Sequence, residues 1–194
     1  MTPHIRWTHR QASIAAAVVG LALAGLPTHL VAQAPTDTAS APPPAKPADV
    51  QSMDAILRAL YDVISGPAGP RDWQRFRSLF APGARLIPTR RDSSGHTTVL
   101  VMSPDDYAKR AGAAFSKMPF YEKQIGQTVE TFGAVTQVFS AYASRHAPTD
   151  PEPFARGVNS IQLFNDGTRW YVVTIYWQAE HPGLTVPAQY LNGQ

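Results

Sequence analysis

An α+β domain, with about three N-terminal helices packed on one face of a curved antiparallel sheet, is what this sequence predicts, and three observations predict it. The stretch Ala155 to Glu180, ARGVNSIQLFNDGTRWYVVTIYWQAE, reads as two long strands folded about Asn165, Asp166 and Gly167. Both faces of that hairpin are largely apolar, so each needs a cover: helices on one side and something else, most simply a second subunit, on the other. The element order is helix, helix, strand pair, helix, then four strands in succession, which places the helices together against one sheet face.

The hairpin rests on turn chemistry. Asp-Gly supplies the positive φ angles of a two-residue type I′ turn, and apolar runs flank it. With Asp166 and Gly167 as the loop, Leu163 faces Trp170, Ile161 faces Val172 and Asn159 faces Thr174. A side-chain period of two then puts Asn159, Ile161, Leu163, Trp170, Val172, Thr174 and Tyr176 on one face. The other face carries Phe164, Tyr171, Val173, Ile175 and Trp177. The Trp170 face is the expected cavity wall and the Trp177 face the expected dimer contact.

Residues 1–34 open with Arg6 and Arg10, continue as an apolar run from Ile14 to Leu26, and end on the small residues Ala32-Gln33-Ala34. This is the pattern of a secretory signal peptide. The apolar run falls short of the roughly 18 to 20 residues that a membrane-spanning helix needs. Processing would therefore leave no stable membrane insertion, and the product is expected to be periplasmic or secreted. Pro35 disfavours cleavage directly after Ala34, so a cut after Ala32 competes. Residues 35–49, PTDTASAPPPAKPAD, hold five of the 18 prolines and read as a linker. Residues 50–194 form one domain by length.

Within that domain, Met53, Ile56, Leu57, Leu60, Val63 and Ile64 recur at helical spacing between an Asp49 N-cap and a Gly66-Pro67 stop. A shorter helix from about Pro70 to Phe80 aligns Trp73, Phe76, Leu79 and Phe80. Ala84 to Arg91 and Thr97 to Met102 read as strands around the turn Asp92-Ser93-Ser94-Gly95. Ser103-Pro104-Asp105-Asp106 combines an N-cap, proline at N1 and an acid at N3, opening a helix to about Lys117. Phe120 to Phe132 and Ala134 to His146 are long strands, and the hairpin follows.

Charge and cysteine narrow the function classes. The chain has 17 basic against 14 acidic residues, and loss of Arg6 and Arg10 leaves 15 against 14. The basic residues are interleaved with acids, which excludes a nucleic-acid-binding stripe. With no cysteine in an exported chain there is no disulfide framework, and cysteine catalysis and cysteine metal sites are excluded. No phosphate loop, nucleophile motif or metal-spaced cluster is present, so neither metal nor cofactor is expected.

The element order, the phrase Trp73 to Phe80 leading into ARLIP, and the ending DGTRWYVV resemble the nuclear transport factor 2-like superfamily in its SnoaL-like branch. The likeness covers nearly all of residues 50–180. It implies a cone-shaped fold with a cavity between helices and concave sheet, and a homodimer formed through the sheet. The superfamily includes isomerases, dehydratases, polyketide cyclases, epoxide hydrolases and non-catalytic members. Ketosteroid isomerase-like members use an Asp before a Pro on the strand after the second helix. Here that pair is Ile87-Pro88, so the base is missing. Dehydratase-like members pair a cavity His with an Asp, whereas His96 falls in a turn and His181 after the last strand.

The remaining candidates are polar residues on strands and helices. Glu122 and Glu130 are the candidate catalytic carboxylates; eight residues apart, they share a face if no bulge intervenes. At ~3.3 Å per residue they are roughly 26 Å apart, so at most one can act on a given bond. Trp73, Tyr61, Asn159, Thr174 and Tyr176 are the candidate ligand-binding residues, with Tyr107 a further phenol that could enter the cavity. His146 with Glu122 or Glu180 has no metal-binding spacing. The leading reading is an exported dimer whose apolar pocket accepts a small organic ligand. A structural or protein-binding module using the sheet face comes second. An acid/base enzyme of the polyketide cyclase, isomerase or hydrolase kind, using a Glu with a Tyr, comes third. Whether the chain is catalytic stays open at this level.

Overall fold

The computed structural model describes residues 41–191. The predicted signal peptide, residues 1–34, lies outside the described residues. The elements are α1 (Pro47–Val50), α2 (Met53–Ile64), α3 (Trp73–Ser78), β1 (Phe80–Arg91), β2 (Thr97–Val99), α4 (Pro104–Phe115), β3 (Tyr121–Phe132), β4 (Val135–Arg145), β5 (Ala155–Asn165) and β6 (Trp170–Ala179), with a 3-10 turn at Ala188–Tyr190. The strands form one six-stranded sheet in the order β2-β1-β6-β5-β4-β3. It is antiparallel except at β1–β6, which pair in parallel, so the expectation of a wholly antiparallel sheet is corrected at that junction.

Packing begins earlier than composition suggests. Asp49, at the end of the proline-rich segment, is buried within α1, and its two carboxylate oxygens accept from Arg75 Nε at 2.8 Å and Nη2 at 2.9 Å. It is therefore an ion-pair partner and not the cap of α2; Ser52 is that cap, its side chain accepting from Ala55 N–H at 3.1 Å. The Arg75 pair holds the Asp49 carboxyl below its ordinary range against the opposing cost of burial. The other predicted start holds as read: Ser103 and Asp106 form a reciprocal capping box with Pro104 in the first turn of α4.

The apolar stripe of α2 sets Ile56, Leu57, Leu60 and Val63 against the inner sheet face, where Val138, Ile161, Leu163 and Val172 are almost wholly buried. Phe76 and Leu79 from the α3 region fill the space between these layers. Two bonds tie α3 to the hairpin: Val172 N–H donates to Leu79 O at 2.9 Å, and Arg169 Nη2 donates to Ser78 O at 2.6 Å. On the opposite face the C-terminal segment crosses the sheet. Tyr190 packs on Phe139 with ring centroids 5.4 Å apart, and a Cβ at Gly126 would run into the backbone of Tyr190 and Leu191.

The hairpin differs from its predicted register. Its last pair is Asn165 with Trp170, and Asp166 to Arg169 make a four-residue loop. The Asp166 carboxylate accepts from Thr168 N–H and hydroxyl and from Arg169 N–H, which wraps the turn past Gly167. The pairing also shifts between Gln162 and Leu163, leaving Val173 unpaired as a bulge. Residues before the bulge keep their predicted face and residues after it change sides. Asn159 is thus opposite Trp177, not Thr174.

Candidate functional site

The bulge decides what the cavity contains. Ile175 and Trp177 line it together with Asn159 and Ile161, while Thr174 and Tyr176 point to the outer face. Tyr176 is 44% exposed. The expectations that Thr174 and Tyr176 face the ligand, and that Trp177 makes the dimer contact, are both corrected by that one extra residue. Trp73 is corrected as well. It caps the core near α4, stacked on Phe115 at 6.3 Å and edge-on to Phe76 at 5.5 Å, with Gly112 leaving room for its indole, and it does not line the cavity.

The cavity has a volume of about 240 Å³ and lies between α2, α3 and α4 and the inner face of the sheet. Seven of its 16 lining residues are aromatic. Tyr61 comes from α2, Phe76 from α3, Tyr107 from α4 and Tyr142 from β4, so every layer presents a ring to the same space. Phe120 and the half-exposed Phe154 stand together, ring centroids 6.1 Å apart. His146 stacks on Phe154 at 4.3 Å.

Glu122 is the charged residue in this lining. Its carboxylate accepts from Ser144 Oγ at 2.7 Å, and its own N–H donates to Ser65 Oγ at 3.0 Å, which fixes the strand beside α2. Ser144 is the single side-chain partner of the carboxylate among the described residues. Burial pushes the Glu122 carboxyl up from 4.5 to about 7, and the Ser144 hydrogen bond opposes that rise only in part. Arg145, which the ladder sets opposite Tyr121 beside Glu122, donates instead to Asp150 O at 3.0 Å. Glu130 is exposed on the other face of β3. The ladder shifts between Gln124 and Gly126, and this bulge separates the two glutamates that unbroken alternation would place together.

A polar lattice holds one wall. Asn159 Nδ2 donates to the Tyr61 hydroxyl at 3.1 Å, the Tyr61 hydroxyl and Ser140 Oγ share a bond of 2.5 Å, and Gln124 Nε2 donates to Ser140 Oγ at 2.7 Å. Buried amide and phenol are thereby satisfied. The Tyr107 and Tyr142 hydroxyls, in contrast, have no hydrogen-bond partner among the described residues. Tyr142 lies across Gly157, where a Cβ would stand 2.6 Å from its hydroxyl. Burial first, and then the Glu122 charge, raises the pKa of all three phenols, so they stay protonated beside the carboxylate.

Tyr61, Asn159 and Glu122 were legible as candidates; Ser144, Phe120 and Phe154 were not. Ser144 carries a signal only in the pairing, where it sits directly opposite Glu122.

No protein-family model and no curated protein matches the chain by sequence. Solved structures do match by shape. A Nostoc punctiforme protein of unknown function with a cystatin-like fold aligns with a TM-score of 0.52 at 10% identity, over 69% of this chain and 92% of its own. A nuclear transport factor 2-like protein of unknown function from Pseudomonas putida aligns with a TM-score of 0.51 at 10% identity, over 69% and 87%. The chain has the nuclear transport factor 2-like fold. Both of these proteins are of unknown function, and a shared fold carries none with it; any role has to come from the cavity's own chemistry.

Proposed function

We propose that this domain binds a small, largely apolar organic molecule in the cavity between helices and sheet, with Glu122 as its charged contact. What supports the reading is the composition of that cavity: aromatic and aliphatic walls with a few convergent polar groups, the usual make-up of a small-molecule site. Export and assembly belong to the same proposal. The opening segment reads as a signal peptide, and Phe164, Val173 and Tyr176 leave an apolar strip on the outer sheet face that a second copy would cover. Native mass spectrometry of protein taken from its own cells tests the three parts together. The expected species is a dimer beginning near residue 33 or 35 and carrying a small organic mass. An empty cavity that also ignores an uncharged apolar dye removes the binding reading, a monomer removes the dimer, and an intact N-terminus removes processing.

Glu122 favours a second reading, acid/base catalysis of the isomerase, cyclase or hydrolase kind. A carboxyl pushed up to about 7 in a largely apolar cavity is matched to taking and returning a proton at neutral pH. Under this reading the Tyr107 and Tyr142 phenols polarise an oxygen of the substrate. Incubation with small cyclic ketones in heavy water, followed by NMR, should show deuterium uptake beside the carbonyl in the wild type and loss of that uptake in Glu122→Gln. Equal uptake in both proteins would leave Glu122 without a catalytic role.

A further inference from the structure

We propose that the cavity's ligand is an organic ammonium ion, its charge against the Glu122 carboxylate and its carbon skeleton against the rings of Trp177, Tyr107, Tyr142 and Phe120. This rests on the binding reading above and names the class of ligand.

The sign of the site is the first support. Among the described residues that line the cavity there is one carboxylate and no Lys, Arg or His. An anionic ligand would set two like charges in a low-dielectric space with nothing between them. An uncharged apolar ligand would displace solvent from Glu122 and return no charge to it, so the group would have to take up a proton or keep a charge whose side-chain partner is Ser144 alone. A cation supplies what Glu122 lacks.

The walls are the second support. An ammonium ion is attracted to the negative face of an aromatic ring, most strongly where both are out of water, and enclosures of several rings are the known solution for alkylated ammonium groups. Here Trp177 from β6, Tyr107 from α4 and Tyr142 from β4 converge on the space that also holds Glu122. Tyr107 and Trp177 meet edge to face with centroids 6.3 Å apart. The partnerless Tyr107 and Tyr142 oxygens can accept an N–H where the nitrogen carries one.

The groups that face Glu122 do not cancel this field. From the helices and β4 they are the neutral phenols Tyr61, Tyr107 and Tyr142. On the outer side, the groove between α2 and β3 carries Asp54 and Asp62 with Arg58 and Lys123, two of each sign.

The test compares benzyltrimethylammonium with its uncharged isostere neopentylbenzene by calorimetry, with Nile red as a neutral reporter of cavity occupancy. At pH 8 the cation should bind the wild type at least tenfold more tightly than the isostere. Glu122→Gln should lose at least tenfold in cation affinity while isostere and dye bind at least as tightly as they do to the wild type, since a neutral amide costs less to cover than a carboxylate. In the wild type, cation affinity should fall about tenfold from pH 8 to pH 6 as the carboxylate takes up its proton, a series that needs no variant. Equal binding of the isostere, or an affinity indifferent to both pH and Glu122→Gln, overturns the ammonium assignment while leaving the cavity a binding site. If neither probe nor dye binds, the binding reading falls and this inference falls with it.

Discussion

At pH 8, Glu122→Gln is expected to make the protein more stable than the wild type, by up to roughly 3 kcal/mol. The sign follows from linkage. The Glu122 carboxyl sits at 4.5 in the unfolded chain and about 7 in the folded one, so between those values the folded state holds more protons and stability falls as pH rises. Each unit of separation is worth about 1.4 kcal/mol. Below about pH 4.5 both states are protonated and the cost vanishes; above about pH 7 it is fully present. Glutamine removes the titration and keeps an oxygen that can accept from Ser144. Urea unfolding of both proteins from pH 4.5 to 8 should therefore give a difference that opens across this window and then levels. Asp49 and Glu180, whose carboxyls are lowered, add their own dependence at more acidic pH, equally in both proteins. A Gln variant less stable at pH 8, or a gap that does not change with pH, would contradict the desolvated carboxylate on which both functional readings draw. A group kept at such a cost is better explained by what it does than by what it holds together.

How much of this was legible in the sequence differs by element. Helices α2 and α4 and strands β3 and β4 were readable because long periodic stripes and a capping box are local signals. The hairpin's existence was readable for the same reason. Its faces were readable only as far as Val172, since a bulge adds one residue without changing composition, and everything beyond it turns over. Trp177 thus moved from an expected dimer contact to the cavity, and Thr174 and Tyr176 moved out. The same event on β3 separated Glu122 from Glu130. The role of Asp49 is hidden in the sequence because proline-rich composition masks one buried carboxylate whose partner, Arg75, lies 26 positions away. Such pairs belong to tertiary structure, and no local pattern announces them.

Phe76→Ala is expected to cost about 3–5 kcal/mol, a large part of the roughly 5–15 kcal/mol that holds a typical domain folded. Phe76 is 1% exposed and its ring meets Trp73 at 5.5 Å, Phe80 at 4.8 Å and Tyr107 at 5.3 Å. Its removal strips three aromatic contacts at once, and the rings left behind belong to three different elements and cannot close the gap together. Because Phe76 also lines the cavity, the vacated volume joins a space that already exists. The variant that remains folded should therefore accept bulkier apolar ligands and hold small ones less tightly, since Tyr107 loses the ring it stacks on. Phe76→Leu, which keeps most of the volume, should cost well under half as much and separate lost stability from altered shape. Urea midpoints with an unchanged denaturant slope measure the first effect, and dye titration in native buffer measures the second. A Phe76→Ala midpoint within error of the wild type would mean that the cavity floor is not the rigid wall these contacts describe.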